Sequence, residues 1–214
     1  MAKYPDHDTY RKLYRRFYEG RSTQDLLELA YPIHGMTVLD LCGGDGRLAL
    51  KAKQYGAKSA LLVDEEIDMT VERSEIPIFI SSVEDFLRGF QGHKLLFDRI
   101  LCQQAINYWL NYMTVQFVHG ALNENGIFVF NTFHNKPSEK PTTRGYEIEG
   151  LHYVEVSWLV DDIVHHVQIR EGLPSHTTSF YWLSPDYLAF ILKPYFEIEV
   201  KKEGATSLYR CLKK

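Results

Sequence analysis

The sequence predicts an α/β fold: a doubly wound, mostly parallel seven-stranded sheet with a C-terminal antiparallel hairpin and an inserted antiparallel β meander. Three observations predict it. Short apolar runs alternate with helical stretches over residues 36–134, the pattern of parallel strands covered on both faces. The first run breaks directly into a glycine-rich corner and then a helix. After Pro137 the period changes to two, with turn residues between the runs.

Residues 8–18 place Tyr10, Leu13, Tyr14, Phe17 and Tyr18 at helical spacing, and Gly20 ends that helix. Ser22 can cap a second helix through Leu26, Leu27, Leu29 and Ala30, stopped by Pro32. MTVLDLC, residues 36–42, reads as a buried strand, followed by GGDG and the helix RLALKAKQY. Strands are predicted at 59–64, 77–81, 97–103 and 127–133, with helices at 66–73, over VEDFLRGF and at 111–123, the last ended by Asn125-Gly126. The polar, Pro- and Thr-bearing segment 135–145 reads as a loop. GLHYVEVSWLV, IVHHVQIR and HTTSFYWL then form the meander, separated by Asp161-Asp162 and Glu171-Gly172. SPDYLAFIL reads as a helix capped by Ser184 with Pro185 in its first turn. FEIEVKKE and TSLYRCLKK close the chain as a hairpin around Gly204-Ala205.

Composition bounds the rest. The hydrophobic share of 45% and charged share of 24% over 214 residues are those of a globular chain with a sizeable core. A formal net charge of −4 favours neither nucleic acid nor an anionic membrane as partner. The local basic stretch Arg11, Lys12, Arg15 and Arg16 reads as the solvated face of a helix. Three cysteines, Cys42, Cys102 and Cys211, form neither a disulfide framework nor a zinc pattern, and read as buried thiols of a reducing compartment. A polar N-terminus and the lack of any long apolar run predict a cytoplasmic protein off the membrane.

The chemistry concentrates at Asp40-Leu41-Cys42-Gly43-Gly44-Asp45-Gly46. Glycines between a strand and a helix allow unusual backbone angles and close approach of a ligand, and the helix start offers free N–H groups. Asp64, 18 residues beyond Gly46, can accept hydrogen bonds from ribose hydroxyls, or can simply cap the next helix. Two cofactors fit this geometry. Gly44, Gly46 and Ala49 match G-x-G-x-x-A, a dinucleotide pattern. Against a dinucleotide stand Asp40, which would repel a pyrophosphate but suits a cationic amino acid, the long segment before the first strand, and the terminal antiparallel hairpin.

VLDLCGGDGRLAL resembles motif I of the class I, Rossmann-like S-adenosylmethionine-dependent methyltransferases, usually V-L-D-x-G-x-G-x-G. Asp40, Gly44 and Gly46 match; Cys42 stands in place of the first glycine and Gly43 in the following variable place. LLVDEEIDM resembles the second motif, FDRILCQQAINYW motif IV, and ALNENGIFVFNTF the stretch closing with strand five. The resemblance covers about residues 36–134; the hairpin is consistent with it and the meander lies outside it. It implies S-adenosylmethionine as cofactor, with S-adenosylhomocysteine as product. It also implies roles. Gly43, Gly44 and Gly46, with Cys42, would carry the backbone past the methionine part, and Asp40 would receive its ammonium, directly or through water. Asp64, with Glu65 beside it, would take the ribose hydroxyls, Ser82 and Val83 would flank the adenine, and Gln103 would lie beside the sulfonium. Gln103 also reads as an ordinary polar strand end.

One domain is expected: an N-terminal helical lid (1–35), a cofactor core (36–134), the meander (146–183), and a helix and hairpin completing the sheet (184–214). The expected reaction is methyl transfer to an oxygen or nitrogen of a small molecule by a monomer or homodimer. Methylation of RNA or protein, a nicotinamide-dependent oxidoreductase, and a binding protein that holds the cofactor without transferring methyl groups are the alternatives. His134, just after strand five, is the candidate base. Acceptor contacts are expected from Tyr14, Tyr18, Asn107, Tyr108, Tyr153, Trp158 and Tyr181, whose aromatic walls suit a cationic or planar acceptor. His165 and His166, adjacent in a strand, face opposite sides, and no metal site is assigned.

Overall fold

The structure, a computed structural model, describes residues 21–65, 76–92, 96–148, 150–172, 175–204 and 206–214. The helix expected over 8–18, with Tyr14, Tyr18 and the basic stretch, and the helix expected over 66–73 lie outside these residues. The chain divides into two compact units: Asn135–Ser184 belong to one, and Gly20–His134 with Pro185–Lys214 form the other.

The larger unit starts with helix α1 (Arg21–Leu29), so Ser22 sits inside the helix and does not precede it as a cap. The alternation then appears as β1 (Thr37–Leu41), α2 (Arg47–Gln54), β2 (Ser59–Asp64), β3 (Ile78–Ile80), α3 (Val83–Gly89), β4 (Phe97–Cys102), α4 (Ile106–Trp109), α5 (Tyr112–Ala121) and β5 (Leu122–Phe133). The predicted helix 111–123 ends two residues early, and Asn125-Gly126 falls inside the extended segment instead of ending a helix. Phe97 pairs with Leu122 but Arg99 with Ile127, so residues 123–126 bulge out of the ladder, with Asn125 at φ 62°.

The smaller unit is a four-stranded antiparallel sheet, β6 (Thr142–Ile148), β7 (Leu151–Val160), β8 (Ile163–Arg170) and β9 (His176–Tyr181), in that order. Strand β6 corrects the loop expected at 135–145. TTRGYEI carries no apolar alternation, so the pattern is silent, yet its backbone pairs with β7 from Thr142 opposite Ser157 to Ile148 opposite Leu151.

Helix α6 (Pro185–Leu192) and the hairpin β10 (Phe196–Glu203) and β11 (Thr206–Lys213) complete the large sheet, in the order β10-β11-β5-β4-β1-β2-β3. β1 to β5 run parallel, and β11 is antiparallel to both of its neighbours. Later in sequence but inside, β11 is largely buried, while β10 exposes Glu197, Glu199, Lys201 and Lys202 along the edge. Charges on an edge strand discourage pairing with another chain. Winding reverses between β1 and β4, and such a switch point opens a crevice at the carboxyl ends of the strands.

Each sheet face has its own core. On one, Leu26, Leu27 and Ala30 of the α1 segment and Leu48, Ala49 and Ala52 of α2 pack on Val38, Leu62, Leu101, Ile127, Val129 and Leu208. On the other, Phe130 stacks on Tyr209 at 4.8 Å and packs tilted against Phe128 at 4.9 Å. Two buried or half-buried guanidiniums finish α1. Arg99 donates from Nε to the Ala30 carbonyl at 2.5 Å, and Arg210 from Nε to Leu29 at 3.0 Å. They supply donors that the last turn of a helix lacks and place cations at its negative end. Among the described residues no helix is long and apolar enough to cross a membrane.

Asp98 fastens the start of β4 to that of β1 and to the bulge. Its carboxylate accepts from Thr37 N and Oγ1, both at 2.7 Å, and from Asn123 Nδ2 at 2.8 Å. Burial alone would raise its pKa, but the hydrogen bonds from Thr37 and Asn123 outweigh it and hold the carboxyl below its usual range. Asp98→Ala is therefore expected to lower unfolding stability at pH 7 by about 2 kcal/mol. Because the folded carboxyl titrates lower than the unfolded one, that difference should shrink as pH falls through the carboxylate range. Urea unfolding of both proteins at pH 7 and pH 3 measures both effects.

Candidate ligand site at the carboxyl edge of the sheet

The site begins with a buried acid. Asp40 is fully buried on β1, and its Oδ2 accepts the Ala49 N–H in the first turn of α2 at 3.0 Å. Its Oδ1 has no hydrogen-bond partner. Burial raises the carboxyl most, the Ala49 N–H opposes it, and Asp64 and Asp45 raise it further, to about 8. Such a carboxyl, with a lone pair facing no donor, is matched to a cation.

Around Asp40 the chain turns tightly. A Cβ on Gly43 would fall 2.0 Å from Leu62 Cδ1 and 2.6 Å from Asp40 Oδ2, so only glycine fits there. Gly46 adopts φ 73° as it caps α2, and Gly46 N donates to Gly43 O at 2.8 Å. Cys42 takes φ 55°, the left-handed region, in the place that resembles a family glycine. A non-glycine residue there costs roughly 1–2 kcal/mol. The neighbouring Cys102 thiol, then burial, pushes the Cys42 pKa up, so it stays a neutral thiol at pH 7. Cys102 and Cys211 are buried as expected, and Cys42 is partly exposed.

Asp64, at the end of β2, accepts the Gly44 N–H at 2.8 Å and so ties the turn to the neighbouring strand. Glu65 beside it is exposed. Ile80, registered with Asp64 across β3, is 72% exposed, an apolar surface that no motif in the sequence marks. Ser82 is the N-cap of α3, its Oγ accepting the Asp85 N–H at 3.0 Å, and Val83 is buried. Past β4, Gln103 is half-buried, and Gln104 at φ 58° donates its N–H to Asn131 Oδ1 at 2.7 Å. Asn107 is buried and accepts from Thr132 Oγ1 at 2.9 Å, whereas Tyr108 is exposed. His134 Nδ1 lies 3.1 Å from Ser207 Oγ.

The large unit thus brings Asp40, Cys42, Gly43, Gly44, Gly46 and Asp64 into one turn, with Gln103, Asn107 and His134 on strands β4 and β5 or just beyond them. Tyr153, Trp158 and Tyr181 lie in the four-stranded sheet and do not share a face there. Tyr153 is buried and stacks on Tyr146 at 5.5 Å. Trp158 stacks on His165 on the opposite face, which Tyr181 shares by strand register. The three side chains are thus divided between the two faces of the sheet. On the Tyr153 face, Glu155 accepts from Tyr146 OH at 2.8 Å and Gln168 Nε2 at 3.1 Å. Burial would raise its pKa, but the His166 imidazole, with Nε2 3.7 Å away, and the hydrogen bonds from Tyr146 and Gln168 hold it at about 2. Nothing in the alternation marks this network, because Glu155 sits between two valines as a solvated residue would. Among the described residues no group of three or more His, Cys, Asp or Glu side chains could hold a metal ion.

No family model matches the sequence, and no curated protein does. Solved structures do match. An S-adenosylmethionine-dependent methyltransferase from Clostridium acetobutylicum ATCC 824 superimposes with a TM-score of 0.73 at 16% identity, over 97% of this chain and 99% of that one. The fold is that of the Rossmann-like methyltransferases. DesVI of Streptomyces venezuelae shares this methyltransferase fold with a TM-score of 0.68 at 14% identity, over 99% of this chain and all (100%) of that one. A 1,6-didemethyltoxoflavin-N1-methyltransferase of Burkholderia thailandensis, with that compound and S-adenosylhomocysteine bound, matches at 0.54 and 13% identity, over 100% of this chain and 92% of that one. The sheet order with β11 between β5 and β10 is the chain's own form of that fold.

The left-handed backbone at position 42 makes a stability prediction. Both Cys42→Gly and Cys42→Ala lose the thiol contact, but only the glycine relieves the backbone. Cys42→Gly is expected to be more stable than Cys42→Ala by about 1 kcal/mol, the reverse of the usual order. Thermal unfolding of the pair measures it.

Proposed function

We propose that the protein is an S-adenosylmethionine-dependent methyltransferase acting on an oxygen or nitrogen of a small-molecule acceptor. The observation that carries the reading is the Asp40 carboxyl: fully buried, pushed up to about 8, and left with one oxygen unsatisfied beneath a glycine turn. An acid so placed offers a pyrophosphate no positive charge and opposes it once ionised, which weighs against a dinucleotide, and it fits the ammonium of an amino acid, which favours the ionised form. The methyltransferase fold of the matched structures supports the same reading.

When bound, S-adenosylmethionine supplies a methyl group activated on a sulfonium. The chain's part is then to hold and align, and well-oriented reactants gain roughly 7–11 kcal/mol from proximity alone. Asp40 holds the ammonium. Asp64, already anchored to Gly44, offers its carboxylate to ribose hydroxyls, and the exposed Ile80 beside it offers an apolar face to the adenine. His134 serves as general base where the acceptor must lose a proton; with Nδ1 on Ser207, its Nε2 is the atom left to take it.

Calorimetric titration with S-adenosylmethionine, S-adenosylhomocysteine and NAD tests the reading. Micromolar binding of the first two, weakened at least tenfold by Asp64→Ala, is the expected result. Binding of NAD alone would replace it with an oxidoreductase. The Asp40 pKa adds a pH signature. Below about pH 8 the unliganded carboxyl is protonated and must lose its proton to hold an ammonium. Affinity for S-adenosylhomocysteine should therefore rise with pH from 6 to 8 and level off above, by up to about tenfold per unit. Asp40→Asn should bind more weakly and show no such rise. The same raised pKa means that the unliganded protein loses stability as pH climbs from the ordinary carboxylate range to about 8, with no further loss from this group above that.

A further inference from the structure

The described structure holds a second orphaned polar atom on the same face of the sheet. Asn131 is 1% exposed, and its Nδ2 has no hydrogen-bond partner. Its orientation is not free. Only the amide oxygen can accept the Gln104 N–H, at 2.7 Å, so Nδ2 is fixed on the other side as a donor. Burying a donor without a partner costs roughly 1–3 kcal/mol, and a native fold that carries one commonly has a functional reason. Ile127, Val129 and Asn131 alternate onto the face that packs against α1 and α2. Asp40 is registered with Leu101, and Leu101 with Val129, so Asp40 lies on that face too, two strands away. Asn131 sits one step further along, at the carboxyl edge, next to the register position of Gln103.

We propose that Asn131 binds the carboxylate of the cofactor's amino-acid end, an inference that rests on the cofactor reading above. The two orphaned atoms are of opposite kind: an acceptor on Asp40 and a donor on Asn131. An α-amino acid carries their complements, an ammonium and a carboxylate, on one carbon. A neutral amide suits the second position, because a lysine or arginine there would pair with Asp40 and compete for the ammonium site. Asn131 thus has two duties from one side chain. Its oxygen holds the left-handed turn at Gln104, and its nitrogen reads the ligand.

The two duties separate by substitution. Asn131→Asp keeps an oxygen for the Gln104 N–H but sets a second oxygen where the donor was. Asn131→Ala removes both. Each variant and the wild type are titrated with S-adenosylhomocysteine and with 5′-methylthioadenosine, which keeps the adenine, ribose and thioether but lacks the amino-acid end. Thermal unfolding establishes that each variant is folded. The proposal expects Asn131→Asp to weaken S-adenosylhomocysteine at least tenfold while methylthioadenosine stays within twofold of wild type. Should the aspartate variant fail to fold, Asn131→Ala carries the test, with the same selective loss expected. Wild-type affinity for S-adenosylhomocysteine in a folded variant overturns the proposal, as does an equal loss for both compounds, the mark of a purely structural asparagine. Failure of the wild type to bind either compound removes the cofactor reading itself, and this proposal with it.

Discussion

A carboxyl group buried at the end of the first strand is the constraint around which the site is arranged. Asp40 has no water to solvate it and only the Ala49 N–H to partner it. That bond joins strand to helix, so the path between them must be short, and Gly43 must lie against the carboxylate with no side chain of its own. The turn then needs left-handed residues in quick succession, at Cys42, Gly44 and Gly46. Gly44 in turn reaches across to Asp64 on the next strand. One buried acid thus sets the shape of the turn, its glycine content and its link to β2. The cost of leaving its second oxygen unsatisfied is one that a cation bound there would offset.

The topology decides what can join this turn. Because winding reverses between β1 and β4, the carboxyl ends of β2, β1, β4 and β5 form one open edge, and residues far apart in sequence reach it by ending their strands there. Asp64 ends β2, Gln103 follows β4, Asn131 lies near the end of β5 and His134 follows it. At the opposite, amino end of the strands Asp98 locks β4 to β1, while Arg99 and Arg210 close the end of α1. Rigid strands that end at a common edge hold polar side chains more accurately than loops can.

Much of this was legible in the sequence, for a physical reason. The turn is local: its acid, glycines and following helix are contiguous, so their spacing is written in one stretch of chain. Asp64 was legible because one β-strand–helix–β-strand step has a nearly fixed length. What escaped has an equally physical cause. β6 is made by backbone pairing of TTRGYEI, which has no apolar period to announce it. Asn131 lay in plain view as a polar residue inside IFVFNTF, but its partner Gln104 is distant in sequence, so the fixed amide emerges only when β4 and β5 lie together. The capping role of the Ser82 hydroxyl on α3 also escaped, because the sequence offers no reason to prefer it over a ligand contact. Tyr153 and Trp158 are an odd number of residues apart on one strand, so their opposite facing is written in the strand period itself. Tyr14 and Tyr18 lie outside the described residues.

The most direct test is a crystal structure of the protein with S-adenosylhomocysteine. The expected complex has the ribose hydroxyls on the Asp64 carboxylate and the amino-acid end over the turn after β1, its ammonium served by Asp40. A ligand bound away from the carboxyl edge of the sheet, or one that leaves the turn between β1 and α2 untouched, would contradict the central claim.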